Sequence, residues 1–355
     1  MARDSREAAG TTIGLDLGDR RSDLCVLDQA GEVVRRMKAA TTEAGLSKAL
    51  ARYPGARVVL EVGTHSPWVS RLVTRQGCQA VVANPWRVRR IAAMEDKSDR
   101  IDAELLARLG RADPKLLRPI EHRGEQAQKD RSLLRVRDGM VRARSGLVTR
   151  ARQITKSLGK RLPKCDADDF SRRLEKDGLV EEFPGLGTLR RAVEELTRDI
   201  AALDREIETA CVERYPETVR LRGIKGVGPI TALAFVLTID DPKRFERSRD
   251  VGAYLGLRPK RWQSGGSDPE MRISKAGDRY TRQMLVQASH YILGHFGPDT
   301  ALRRFGKRLM ARGGRSARKR AVVAVARKLA VLMHRLWVTG RQYEPLHGVR
   351  LDVAA

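Results

Sequence analysis

Four acidic residues in the first third of the chain have the types and spacing to hold a hard metal ion. Asp16 stands in Ile13-Gly14-Leu15-Asp16-Leu17-Gly18. In an extended segment Leu15 and Leu17 share one face, and Asp16 takes the other with Gly14 and Gly18. Glycines beside an acid leave room for a large ligand to approach. Glu61 ends the apolar run Val58-Val59-Leu60, and Asp99 and Asp102 lie three apart, on one face of a helix start. Four carboxylates brought together repel one another unless cations intervene. Oxygen donors select Mg²⁺ or Mn²⁺. Two such ions about 3.5–4 Å apart can clamp the attacking and leaving oxygens of a phosphodiester. Each acid alone has a plainer role, as a strand end, a helix cap or an arginine partner. Their joint placement is what points to chemistry.

That placement depends on the elements. Thr11 to Leu17, Ser22 to Leu27 and Glu32 to Lys38 read as strands joined by the turns Gly18-Asp19-Arg20-Arg21 and Asp28-Gln29-Ala30-Gly31, an antiparallel meander. A helix follows from about Thr42 to Tyr53, with Leu46 and Leu50 one turn apart. Then come a strand at Arg57 to Glu61, a helix around Pro67 to Gln76, and a strand at Gln79 to Ala83 closed by Asn84-Pro85. Asp99 to Gly110 reads as a helix burying Leu105, Leu106 and Leu109. The order β-β-β-α-β-α-β-α is that of an RNase H-like (RuvC-like) α/β fold. In it strands one and four are neighbours, so Asp16 and Glu61 can face each other.

The middle of the chain is helical and charged. Leu133, Met140, Leu147 and Ile154 recur every seven residues, as do Leu189, Leu196 and Leu203, with Val193, Ile200 and Ile207 as a second row. Such stripes predict two long helices in a coiled-coil hairpin or a dimer seam. Leu162 to Pro184, with Pro163, Gly178 and Pro184, breaks the pattern and connects them. The reading therefore divides the chain into 1–125, a helical coiled-coil arm at 126–214, a mainly α domain at 215–345 and a tail at 346–355.

The chain of 355 residues carries 70 Lys and Arg against 44 Asp and Glu, a formal net charge of +26. A charge this large calls for an anionic partner, and nucleic acid is the default, because Lys and Arg displace counterions from phosphates. Cys25, Cys78, Cys165 and Cys211 are far apart, and no Cys-x-x-Cys or Cys/His cluster is present, which excludes zinc ribbons. No segment reaches the roughly 18 apolar residues of a membrane span. The first ten residues lack an apolar core, so a cytoplasmic protein is expected.

Two C-terminal segments carry further signals. Gly223-Ile224-Lys225-Gly226-Val227-Gly228-Pro229 has the form of a helix-hairpin-helix turn that offers backbone N–H groups to a phosphate, or of a plain turn between helices. Pro259-Lys260-Arg261-Trp262-Gln263-Ser264-Gly265-Gly266-Ser267 sets a serine before two glycines among cations, followed by Arg272-Ile273-Ser274-Lys275-Ala276-Gly277-Asp278-Arg279. A serine needs a base or a metal to become a nucleophile. No histidine stands nearby, so a Ser-His-Asp hydrolase is not supported. Arg303 to Arg320 is strongly cationic, and Ala321 to Trp337 has a broad apolar face expected in the core. Lys225, Arg261, Lys275, Arg279, Arg318 and Lys319 are the candidate nucleic-acid contacts.

Together these segments resemble the DEDD transposases of the insertion-sequence 110 type, over nearly the whole chain. The matching residues are Asp16 in GLDLG, Glu61 in VLEVGTHS and Asp99 and Asp102 in KSDRIDAELLA, with GIKGVGPITA, YLGLRPKRWQSGG, RISKAGDRYTRQMLVQAS and AVVAVARKLAVLMHRLW further on. The resemblance implies a RuvC-like domain, a coiled-coil arm and a C-terminal transposase domain with a nucleophilic serine, matched here to Ser264. Ser267 stands where a basic residue is expected, which leaves Ser267 and Ser274 as alternatives. It also implies a structured non-coding RNA, the bridge RNA, pairing with donor and target DNA. Dimers assembling into a tetramer are implied too, the serine of one protomer completing the carboxylate site of another. The expected activity is DNA strand cleavage and exchange. The alternatives are a RuvC-like junction nuclease using water in place of serine, and a binding protein without catalysis.

Overall fold

The computed structural model describes residues 10–85, 88, 99–162, 164–176, 178–183, 185–260 and 271–346, with the backbone alone for 99 and 100. The chain forms two compact units, 1–124 and 125–355.

The first unit is built on a five-stranded mixed sheet. Strands β1 (Thr12–Asp16), β2 (Arg21–Leu27), β3 (Val33–Ala40), β4 (Arg57–Glu61) and β5 (Gln79–Ala83) lie in the order β3-β2-β1-β4-β5. The expected meander is present, since β1–β2 and β2–β3 are antiparallel, whereas β1–β4 and β4–β5 are parallel. Helices α1 (Glu43–Leu50) and α2 (Ser66–Arg75) cover one face over Ile13, Leu15, Leu24, Val26, Val58 and Leu60. Thr42 caps α1 by accepting from the Gly45 amide. On the other face lies α3 (Asp99–Ala112), over Cys25, Leu27, Val59 and Val81. Of the three leucines expected to be buried there, only Leu106 is. Leu105 and Leu109 are half-buried, because the sheet-facing stripe of α3 runs through the small residues Ala103, Ala107 and Gly110.

The second unit begins with α4 (Glu125–Ser157), continues through short helices α5 (Phe170–Lys176) and α6 (Leu179–Glu182) in the expected connector, and returns along α7 (Leu186–Glu213). Arg137 pairs with Asp204, and Arg144 bonds Thr197. As one number rises by seven the other falls by seven, so α4 and α7 form an antiparallel hairpin within one chain. In α7 the second of the two heptad rows, Val193, Ile200 and Ile207, is the buried seam. In α4 the seam is rotated one residue from the expected row. Leu134, Val148 and Thr155 are buried with Arg144 and Ala151, while Ile154 is exposed. The reason is that Arg and Thr are not scored as apolar. Arg144 nonetheless buries its guanidinium by pairing with Asp168 and Thr197.

The rest of this unit comprises α8 (Glu217–Leu221), α9 (Pro229–Ile239), α10 (Asp250–Tyr254), α11 (Arg279–Leu293), α12 (Ala301–Ala311) and α13 (Ala317–Thr339), around a core that includes Phe235, Leu285, Leu329 and Met333. The final helix begins four residues before the expected Ala321, and Gly313 and Gly314, both at positive φ, separate it from α12. Among the described residues no helix is long and apolar enough to cross a membrane.

A buried carboxylate ties α4 to the end of α7. Asp130 accepts from Arg214 Nη2 at 2.7 Å, Tyr215 Oη at 2.8 Å and Gln126 Nε2 at 3.3 Å. Burial pushes its carboxyl up, but the donors of Arg214, Tyr215 and Gln126 outweigh this and hold it below its ordinary value. Arg214 keeps 35% of its side chain in solvent. Arg214→Ala is therefore expected to cost about 2–3 kcal/mol at pH 7, less than the roughly 3–5 kcal/mol for breaking a fully buried pair, because solvent screens the exposed part of the guanidinium. A carboxyl whose value is lower folded than unfolded stabilises fully above its unfolded value of about 3.9, and that contribution fades as pH falls through the folded value. Urea unfolding of wild type should thus show a steeper stability loss below about pH 4 than Arg214→Ala does. Parallel curves would refute the linkage.

Candidate nucleic acid cleavage site

The acidic site is positioned by sheet register and by the close seat of α3. In the parallel pair Gly14 lies opposite Val59 and Leu15 opposite Leu60. One step further are Asp16 and Glu61, the last residues of β1 and β4. The same row includes Asp23 of β2, the antiparallel partner of Asp16, and then Lys38 of β3. Cross-strand partners share a face, so Asp16, Asp23 and Glu61 lie on the α3 side, in line with Gly14, Cys25 and Val59 two residues back. Asp23 is ion-paired with Lys38 at 3.5 Å. It is the acid that the sequence reading did not consider. The polar position opposite Leu24 was the available signal.

Three contacts fix the direction of α3. Arg108 Nη1 reaches the Gly31 carbonyl at 3.4 Å. A Cβ on Gly31 would lie 2.7 Å from Arg111 Nε. Arg57 Nη1 donates to the Gly110 carbonyl at 3.0 Å. Gly31 and Arg57 both lie at the N-terminal end of β1, where Thr12 pairs with Leu27 and Arg57. The C-terminal end of α3 is therefore at the start of β1, and the helix start, with Asp99 and Asp102, is directed toward the end that carries Asp16 and Glu61.

The seat is tight. A Cβ on Gly14 would lie 1.8 Å from the Ala103 carbonyl oxygen and 2.6 Å from the Ala107 nitrogen, and one on Gly110 would lie 2.2 Å from Val59 Cγ2. Backbone meets backbone at Gly14, and backbone meets the Val59 side chain at Gly110, only because those positions lack side chains. Glu104, also on α3, has a structural role. It receives Arg36 from β3 and Arg108 from its own helix, and these bonds hold its carboxyl below the ordinary value.

Asp16, Glu61 and Asp102 are half-buried. The Asp99 side chain lies outside the described residues, so the expected fourth ligand is placed only as a backbone position at the start of α3. Among the described residues no group of three or more His, Cys, Asp or Glu side chains could hold a metal ion. Carboxylate oxygens are the donor type that suits a hard divalent cation, but the described acidic side chains do not converge into a group that would hold one.

The second candidate region is in the other unit. Ser264, Ser267 and Arg261 lie outside the described residues, but the limbs on either side are held firmly. The Lys260 amide donates to the Arg272 carbonyl and that of Ser274 to Arg258, each at 2.9 Å, around the antiparallel bridge Pro259–Ile273. Gly256 and Gly277 both have positive φ, and a Cβ on either would strike the opposite limb's backbone, at 2.3 Å from the Ala276 oxygen and 2.1 Å from the Tyr254 oxygen. Arg282 Nη1 donates to the Leu255 and Ala276 carbonyls, clamping both limbs. Asp278 caps α11 at the Thr281 amide and pairs with Arg131. The segment Ile273 to Asp278 is thus the frame of this hairpin, residue by residue. Ser274 is half-buried, with its amide in the ladder.

Gly226, at φ +98°, turns the hairpin between α8 and α9, and a Cβ there would press on Tyr291 of α11 at 2.9 Å. Lys225 at that turn, Lys275, Arg279, Arg318 and Lys319 are exposed.

A mixed sheet of this order with flanking helices is consistent with an RNase H-like core carrying helical extensions. Residues 13–158 match the DEDD transposase model of the IS110 group, and residues 219–305 match the model described as Transposase IS116/IS110/IS902 family. The chain is 28% identical over 341 residues to the transposase of insertion sequence element IS1111A from Coxiella burnetii, covering 93% of this chain and 90% of that one. It is 29% identical to the transposase of IS1328 from Yersinia enterocolitica, covering 79% and 83%. It is also 26% identical over 125 residues to a pilin gene-inverting protein of Moraxella lacunata, covering 35% and 38%. The chain belongs to the IS110 family of bacterial transposases, enzymes of DNA recombination.

Proposed function

We propose that this transposase exchanges DNA strands through a carboxylate site of Asp16, Glu61, Asp99 and Asp102 and the hydroxyl of Ser264. The observation that carries the reading is the register row that ends β1 and β4 with acids on the face covered by α3, whose start is directed to the same end. Those four residues would hold Mg²⁺ or Mn²⁺, which when bound supplies charge neutralisation at the scissile phosphate. The Ser264 hydroxyl attacks phosphorus, forming an Oγ–P bond as the bond to the leaving DNA oxygen breaks. The serine proton leaves, and the departing oxygen is protonated to a free hydroxyl. A hydroxyl of the second DNA then attacks the phosphoserine, restoring the phosphodiester and the serine. Each step exchanges one P–O bond for another, so no nucleotide triphosphate is required.

The net charge of +26 and the exposed Lys225, Lys275, Arg279, Arg318 and Lys319 support binding of donor and target DNA and of a guiding structured RNA. Assembly of dimers into a tetramer would bring the serine of one protomer to the carboxylates of another.

Ser264→Ala is the test. Strand exchange and the protein–DNA adduct, trapped on a nicked substrate and resolved by denaturing electrophoresis, are expected to disappear. Retained nicking with loss of the adduct alone would favour the water-using nuclease. An unchanged adduct would move the nucleophile to Ser267 or Ser274.

A further inference from the structure

The broad apolar face of α13 exceeds what the core covers. Ala321, Val322, Val325, Ala326, Leu329, Ala330 and Met333 are buried, whereas Val323, Ala324 and Val331 are only half-buried. They form the floor of a groove of about 650 Å³ that lies between α13, α12 and the hairpin limbs flanking the Ser264 segment. Phe305 of α12 and Ile273 of the hairpin complete that floor. Of the fourteen described residues lining the groove, six are Lys or Arg, and the other eight are apolar. Arg272 and Lys275 stand on the hairpin side, and on α13 Lys319, Arg320, Arg327 and Lys328 are interleaved with Val323, Ala324 and Val331 on one helix face. None of the six has a carboxylate partner among the described residues. Lys328 Nζ sits 4.3 Å from the centre of the Phe305 ring, a cation over an aromatic face.

Apolar side chains interleaved with cations are complementary to a ligand that is apolar in its flat parts and anionic along its edge. Duplex DNA presents its phosphates outward and hides its base faces, so it would use the cations and leave the apolar side chains exposed. A strand with unstacked bases uses both. The cations alone would serve any polyanion; it is the apolar side chains among them that select. Both hairpin limbs continue directly into the Ser264 segment, so a strand held here lies in the same unit as that segment.

We infer that this groove binds unpaired DNA nucleotides, with bases on Phe305, Val323, Ala324 and Val331 and phosphates on the Lys and Arg side chains interleaved with them. The inference rests on the DNA strand-exchange reading and adds a site for the opened strand to it. The test is fluorescence anisotropy with full-length protein and three 12-nucleotide probes: oligothymidylate, an all-abasic strand of equal charge, and a hairpin duplex. Oligothymidylate is expected to bind about tenfold tighter than the abasic strand. Ala324→Glu, which places an acid on the floor, should remove that difference while the duplex affinity changes less than about threefold. Val331→Ser, which keeps the charge, should reduce the difference partway. Equal binding of the thymidylate and abasic strands by wild type would overturn the proposal and leave the Lys and Arg side chains as phosphate contacts only. So would a preference for oligouridylate over oligothymidylate, or tighter binding of anionic vesicles of phosphatidylglycerol. The Ser264→Ala adduct assay is independent of these outcomes. Adduct chemistry intact with no base-dependent binding would leave strand exchange standing and remove only the groove.

Discussion

Asp16→Asn is expected to lower strand exchange on the order of a thousandfold, equivalent to about 4 kcal/mol of transition-state stabilisation, with little change in folding. Asn keeps the size of Asp but replaces one anionic oxygen with an amide donor. Carboxylate, not amide, is the donor that hard divalent cations retain in a site of this kind. The position is half-buried at a strand end, where an isosteric change costs about 1 kcal/mol or less. Activity and stability should therefore separate. Strand exchange is read by single-turnover product formation and folding by the thermal midpoint. Glu104→Gln is the contrast on the neighbouring helix. Glu104 serves Arg36 and Arg108, so its loss is expected to lower stability by about 1 kcal/mol and leave exchange within a few-fold. If Asp16→Asn retained full exchange, or if it and Glu104→Gln behaved alike, the carboxylate assignment would fail.

The second large effect is expected at a residue with no functional group. Gly14→Ala adds one methyl group where the Ala103 carbonyl oxygen would be 1.8 Å away. Backbone oxygen cannot rotate aside as a side chain can, so α3 must lift from the sheet. The expected cost is about 4 kcal/mol or more, in the range reserved for core overpacking with backbone displacement. Strand exchange should fall with it although Asp16 and Glu61 are untouched, because the start of α3 would lose its register with the ends of β1 and β4. Gly139→Ala is the matched control. Gly139 lies on the exposed surface of α4 with nothing within 4 Å of the added carbon, and the same change there should stabilise by about 0.5–1 kcal/mol. Hydrogen exchange across α3, compared between the two variants, separates a lifted helix from global unfolding. Similar protection of α3 in both would contradict the account of a tight seat.

The strands that carry the site were readable because their pattern is local. Alternation around Asp16 and the uniform run before Glu61 give strand identity, facing and end, and turn residues set the meander. The bounds of β4 and β5 agree with the reading to the residue. The heptad rows of the hairpin helices were readable as periodicity, but not the rotation of the α4 seam. That depends on Arg144 finding Asp168 and Thr197, partners 24 and 53 residues away. Asp130 was equally hidden, since a lone acid in a charged helix gives no sign that Arg214 and Tyr215 will enclose it.

By itself, then, the sequence determined the strands and their meander, the four acids as residue types at or near the ends of their elements, the polycationic character, and the family resemblance that nominates Ser264. Only the tertiary structure decided that Asp23 joins the acid row with Lys38 beside it, that glycines at 14 and 110 let α3 lie directly on the sheet, and that Val323, Ala324 and Val331 of the α13 apolar face are left for a groove. The physical reason is one of range. Strand and helix character are set by neighbours two to four residues apart, whereas a site is set by which surfaces approach within an ångström or two. Here that approach is controlled as much by absent side chains as by acidic ones.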